Sequence, residues 1–333
     1  MALLNPAYKL TLGNRIVDTT DEPQASIVTE LRVELDMDVP ADRFLLVMGQ
    51  VGSWRPQQDD EARLELGYAD DDGELERVMT GAVTAVQANL QTRRVMGHGA
   101  AMTLLRSFVD TTYQAKKAGE IVRDLAEQAG VDVARTEDGI NFPAYVVDGR
   151  RSFWHHLRDL ADLCGFDLYI DDGGELVFER FVGGRTVHVF DYGRDILALD
   201  CHFTAPRAAR VEAWGESPTG AEGEEAWGWL TKDFSGTRGQ AGNGDPTLLL
   251  ERPALRTAEA AQSAADALHT HLQRRGLQGK LRVLGNPAVR LGDAVRVQQA
   301  PEAEHNGTYQ VRSVTHRITK AHGFVTTVGF RGI

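Results

Sequence analysis

The stretch GNPAVRLGDAVRV, residues 285–297, decides how the rest of the chain is read. Asn286-Pro287 favours a turn, because proline fixes its own φ and biases the preceding residue towards extended backbone. Val289 and Leu291 lead into a tight joint at Gly292, and Asp293 carries the short carboxylate that accepts backbone N–H groups in such joints. Val295 and Val297 then resume an alternation with a period of two. A ligand loop would need convergent donors or a helix N-terminus behind it, and here a strand follows. The stretch predicts a corner in a β-sheet.

Around this corner the pattern continues in KLRVL (280–284), GTYQVRSVTHRI (307–318) and GFVTTVGF (323–330), all with strand alternation. Upstream, Thr257 is placed to cap a helix with Ala261, Ala265, Leu268 and Leu272 on one side. The first hundred residues alternate in the same way: YKLTL, SIVTELRVEL, ARLELGY, MTGAVTAVQANL and RRVMGHG. The middle changes character. AGEIVRDLAEQAGV (118–131) and RSFWHHLRDLADLCGF (151–166) carry apolar residues at helical spacing, with Gly130 and Gly165 as stops and Ser152 placed to cap the second. FDLYIDDGGELVFERF (166–181) reads as a hairpin turning at Asp172-Gly173-Gly174. The order is β, mixed, then β with one helix: a mainly β, α+β chain. A faint repeat links its ends, since Val83, Val86 and Leu90 share the spacing of Val311, Val314 and Ile318, which predicts a common core role for the six.

Composition narrows function. The chain has 333 residues, 42% hydrophobic, a formal charge of -12 and a pI near 5.3. That is the opposite of the basic footprint of a nucleic-acid binder, so tight nucleic-acid binding is not expected. No apolar run reaches the length of a membrane span, and the start has no secretion-signal pattern, so neither a membrane partner nor export is expected. The acidic clusters QQDDEAR (57–63) and ADDDGELE (69–76) read as solvated loops.

Catalytic and metal patterns are not expected either. Cys164 and Cys201 are the two cysteines, read as buried free thiols. His155/His156 and His269/His271 fall on predicted helices at spacings that point their rings apart, and His316 reads as a structural histidine. There is no nucleophile elbow and no phosphate-binding glycine loop, so no cofactor, metal or catalytic residue is assigned. Acidic pairs such as Asp171/Asp172 or Glu224/Glu225, with Trp227 and Trp229 as a sugar platform, leave a cell-wall glycan hydrolase or glycan-binding protein as the alternative.

From the alanine-rich helix through GKLRVLGNPAVRLGDAVRV to GTYQVRSVTHRI and GFVTTVGF, the sequence resembles the C-terminal part of late control protein D, the tail hub family of contractile phages. Its middle and MTGAVTAVQ resemble the inserted segment and first barrel of those hubs and of the N-terminal half of VgrG-type spikes. Gly285, Pro287, Gly292 and Asp293 match the corner motif of the family, and Gly307, Tyr309 and His316 the strand motif after it.

The resemblance implies two tube-like antiparallel β-barrels, at 1–110 and 201–333, with an inserted helix-containing domain at 111–200 and a surface excursion near 215–250. It further implies a non-enzymatic homotrimer, assembled in the cytoplasm and built into the baseplate of a phage tail or injection particle. That trimer would adapt a threefold spike to a sixfold inner tube. Its expected partners are a spike protein on a separate chain, since this sequence ends directly after the last strand, an inner tube or tube-initiator protein, and baseplate wedge proteins.

Overall fold

Seven strands fill the first hundred residues: β1 (Pro6–Leu12), β2 (Arg15–Asp18), β3 (Val28–Asp36), β4 (Arg43–Gly49), β5 (Glu61–Tyr68), β6 (Leu75–Ala88) and β7 (Thr92–His98). Alternation places their cores: in β3, Leu31, Val33 and Leu35 are buried while the residues between them face outward. The structure is a computed structural model and describes residues 4–22, 26–50, 54–70, 74–215 and 238–333.

The middle holds α1 (Ala101–Arg106), β8 (Thr111–Lys117), α2 (Ala118–Gln128), β9 (Val133–Thr136), β10 (Asn141–Val147), α3 (Phe153–Cys164), β11 (Asp167–Ile170) and β12 (Leu176–Glu179). Helix α2 starts where the Glu120 carboxylate accepts the Lys117 backbone N–H at 2.9 Å, and the chain leaves it at Gly130 with φ +69°. Ser152 stands at the start of α3 but makes no side-chain cap; its hydroxyl shares a hydrogen bond with His155 Nδ1 at 2.8 Å instead.

The remainder comprises β13 (Val187–Asp191), β14 (Ile196–Phe203), β15 (Arg210–Trp214), β16 (Gly239–Gly242), β17 (Thr247–Glu251), α4 (Ala258–Arg274), β18 (Leu277–Leu284), β19 (Ala294–Gln298), β20 (Gly307–Thr319) and β21 (Gly323–Arg331). Thr257 caps α4, its hydroxyl accepting Ala260 N–H at 3.2 Å. Part of the expected surface excursion is ordered sheet: β16 and β17 flank β15, against α4. Cys164 is buried, whereas Cys201 is only half-buried. No helix of the described residues is long and apolar enough to cross a membrane.

Thirteen strands form one sheet in the order β14-β18-β21-β20-β3-β4-β7-β6-β5-β1-β2, with β19 beside the first part of β20 and β13 beside β19. The fold is mainly β, but neither half closes into a barrel among the described residues. The expectation of two closed barrels is corrected, for a simple reason. The free edge that β3 would need to close the first half is paired with the second half, residues 30–36 running antiparallel to 313–319 of β20.

Two hydrophobic cores result. One underlies the large sheet from Tyr8 to Phe330, and the other joins α1, α2 and α3 to β15 and α4.

The two cores are clamped at the β3–β20 seam. Arg312 bulges out of the β20–β21 pairing, and its buried guanidinium donates to Asp38 at 2.6 Å, after β3, and to Asp167 on β11; Gln310 also donates to Asp167. Replacing Arg312 by Met leaves the Asp167 carboxylate without its cation in a site where its side chain is 13% exposed. We expect a loss of roughly 2–3 kcal/mol in urea unfolding, at the low side for a broken buried pair because Gln310 still donates. A midpoint within about 0.3 kcal/mol of the parent would show that the clamp contributes little.

Candidate functional site

The corner at 285–297 is held by short-range bonds that the sequence anticipates in kind. The Asp293 carboxylate accepts Arg290 N–H at 3.1 Å and Thr186 N–H at 3.3 Å, and lies 2.9 Å from His188 Nε2. Gly292 sits at φ +82°, with the Tyr169 hydroxyl 2.3 Å from where a Cβ would be. Gly285 lies flat on the Phe324 ring, and its carbonyl accepts the Tyr68 hydroxyl at 2.9 Å. Pro287 lines a cleft of about 640 Å³ with Tyr68, Phe190 and Asn286.

Sequence reading missed that this corner occurs twice. In the segment taken as solvated loop, Asp60 accepts Gln57 N–H at 2.8 Å, as Asp293 accepts Arg290 N–H. The Asp60 carbonyl accepts Val83 N–H at 2.9 Å, as the Asp293 carbonyl accepts Val311 N–H at 2.9 Å. Asp59 has φ +67° where Gly292 has +82°. The available signal was an aspartate immediately before an alternating strand, with a left-handed residue supplied by Asp in one copy and Gly in the other.

From the corners outward, the halves correspond strand by strand. The order β3-β4-β7-β6-β5-β1 in one half is β14-β18-β21-β20-β19-β13 in the other, every pairing antiparallel except β13–β19, which is parallel. The bulges fall at equivalent places: Val83/Ala85 matches Val311/Ser313, and Val28/Glu30 matches Ile196/Ala198. Phe44 opposes Gly97 in one half, and in the other the partners are exchanged, Phe330 opposing Gly279. Either way a ring lies over a glycine whose Cβ would meet it at 2.1–2.4 Å.

The paired valines and their neighbours divide. Val83, Val311, Val314 and Ile318 are buried, but Val86 is 38% exposed and Leu90, at the tip of the β6–β7 turn, is 97% exposed, so the expected core role fails for Val86 and Leu90. The physical difference is the covering strand, since β3 lies along β20 and nothing described lies along the same edge of β6.

Gly307 abuts the ring of Tyr309, which stacks on Phe330 at 4.7 Å between centroids and donates to the His305 carbonyl at 2.9 Å. His316 is buried, sharing a 3.0 Å hydrogen bond with Thr326 Oγ1 under the seam. Burial pushes its imidazole down to about 3.

Among the described residues no group of three His, Cys, Asp or Glu side chains is placed to hold a metal. Asp171 accepts the backbone N–H groups of Gly173 and Glu175, and Asp172 pairs with Arg77 at 3.2 Å, so this acidic pair closes a turn. Glu224, Glu225, Trp227 and Trp229 lie outside the described residues. What the arrangement offers is backbone, including two sheet edges unpaired among the described residues, along β14 and along the end of β6.

The fold is similar to that of solved phage tail proteins. The fold is similar to the 43 kDa tail protein of prophage MuSo2 from Shewanella oneidensis (TM-score 0.73, 16% identity, 98% of each chain covered). It is also similar to a tail protein from Neisseria meningitidis MC58 (0.72, 13%, 98% of this chain and 96% of that one). A third similar structure is an Escherichia coli component of the type VI secretion system described as resembling T4 bacteriophage tail proteins gp27 and gp5 (0.61, 11%, 98% and 77%). By sequence, the chain belongs to the Alg8 N-terminal domain family, which it matches over residues 59–320. No curated protein matches it.

Two outcomes test the corner and the seam. Gly292→Ala places a side chain at positive φ against the Tyr169 hydroxyl and is expected to cost roughly 1–3 kcal/mol in chemical denaturation, part of it recovered in the double variant with Tyr169→Phe. No recovery would locate the cost in the backbone alone. His316, neutral in the folded chain and protonated below its ordinary 6.5 once unfolded, stabilises fully above that pH and progressively less as pH falls towards 3. Burial raises Asp42 to about 7 and works in the opposite sense, favouring the fold at low pH, so the comparison is made against His316→Gln. The stability gap between parent and variant should narrow by up to about 1.4 kcal/mol per pH unit between pH 6.5 and 4.5, and a gap independent of pH would contradict the assignment.

Proposed function

We propose that the chain is a non-enzymatic baseplate hub of the late control protein D type, in a phage tail or contractile injection system, and that three copies form a ring adapting a threefold spike to a sixfold inner tube. The observation that carries this reading is the repeated six-strand order: one chain presents the same sheet unit twice, so three chains present it six times. The similarity of the fold to tail proteins and to a type VI secretion component supports the same direction.

In this reading, residues 1–110 contribute one tube-facing half and residues 201–333, joined by β13 and β14, contribute the other, with the rest of 111–200 as the insert between them. The corner residues Gly285, Pro287, Gly292 and Asp293, and the strand residues Gly307, Tyr309 and His316, shape the sheet and perform no chemistry. The proposed partners are a spike protein on a separate chain, an inner tube or tube-initiator protein and baseplate wedge proteins. Assembly would take place in the cytoplasm, before the hub is built into the particle. The glycan-hydrolase alternative draws no support from Asp171 and Asp172, which are engaged in the turn described above.

Mass measurement and low-resolution imaging of the purified full-length chain test the proposal. A trimer with a threefold ring and a central channel is expected; a monomer that clears peptidoglycan in a zymogram would replace the hub with the enzyme.

A further inference from the structure

The sheet has one internal junction and two unused edges that match it. Inside the chain, β3 from the first half lies antiparallel on β20 of the second, with Leu35 opposite Val314, Val33 opposite His316 and Leu31 opposite Ile318, all buried. The counterpart of β3 is β14, and the counterpart of β20 is β6, by the shared strand order and bulge positions. Strand β14 ends the sheet, with its outer edge unpaired among the described residues. On β6, pairing on the β5 side stops at Val83, so the backbone beyond it is likewise unpaired among the described residues. Unpaired edges present a row of N–H and C=O groups that template another strand.

We infer that β14 of one copy of this chain docks antiparallel on the end of β6 in the next copy, in the register of the internal β3–β20 junction. Carrying that register across places Phe203 opposite Val86 and Cys201 opposite Ala88, and sets Leu199 beside Leu90. These positions hold the apolar residues that stand anomalously open in the single chain: Val86 is 38%, Leu90 97% and Phe203 50% exposed. Their internal counterparts Val314, Ile318 and Leu35 are buried because the other strand is present. Leu199 and Cys201 already pack partly against the main core, as Leu31 and Val33 do fully, so β14 offers its apolar face on the correct side. The contact joins different surfaces of the two copies, head to tail, and so propagates around a ring. In a ring of three, junctions within and between chains would alternate as six equivalent seams. The number three rests on the hub reading above, whereas the register rests on the internal junction alone.

The native Cys201 makes the register directly readable. In full-length Ala88→Cys, mild oxidation with diamide should produce covalently linked oligomers on a non-reducing gel. The links should disappear when Cys201→Ser is added and should be at least about tenfold weaker in Gln87→Cys, whose side chain faces the other side of the strand. Val86→Glu, at an exposed position, should leave the circular dichroism spectrum and melting temperature of the chain in place while shifting its mass towards the monomer.

Oligomers that form without the Ala88→Cys to Cys201 link, or that link equally well from position 87, would overturn the register and leave the hub standing. A parent chain that stays monomeric to the highest attainable concentration would overturn both.

Discussion

The structure depends on one strand pairing, residues 30–36 against 313–319, between segments from opposite ends of the chain. Without it the molecule would be two open sheets, each with a long apolar edge in water. With it, thirteen strands share one sheet and one core. The seam also gathers several buried polar groups. Arg312 reaches Asp38 and Asp167 there, Arg331 approaches Asp38 at 3.5 Å, and His316 lies beneath Thr326. Burying these charges is tolerable because each has an opposite charge or a hydrogen bond within reach, and the same pairing ties the helical insert to the sheet.

The two halves preserve backbone geometry more closely than side chains. Each corner needs a carboxylate to collect N–H groups and a residue in the left-handed region, and Asp59-Asp60 supplies in one half what Gly292-Asp293 supplies in the other. The ring-over-glycine pair survives with its members exchanged between strands, since packing requires only that a ring and an empty Cβ position face each other. Such substitutions erase sequence similarity at little energetic cost. They account for the faintness of the repeat in the sequence beside its clarity in the strand order.

In the hub reading proposed above, function resides in edges rather than pockets. His316 and Asp42 are both strongly shifted, and both owe the shift to burial, beneath the sheet and in the Asp36–Asp42 turn, positions that shape the fold. Exposed apolar residues, by contrast, include Leu197 and Phe203 on β14 and Val86 on β6, strands with open edges among the described residues.

Local pattern alone determined much of this protein. Period-two alternation located most described strands, helical spacing with Thr257, Gly130 and Gly165 bounded three of the four helices among the described residues, and Asn286-Pro287 with Gly292-Asp293 marked a corner, because each signal acts within a few residues along the chain. Tertiary structure alone decided which edge each strand met. The same V-x-x-V-x-x-x-L/I spacing is buried throughout in β20 and open after Val83 in β6, and the difference is a strand arriving from about 280 residues away, a choice that no short-range propensity encodes. The first half stayed open because β3 pairs with β20, and Leu90 stayed in water because no described strand covers that edge of β6.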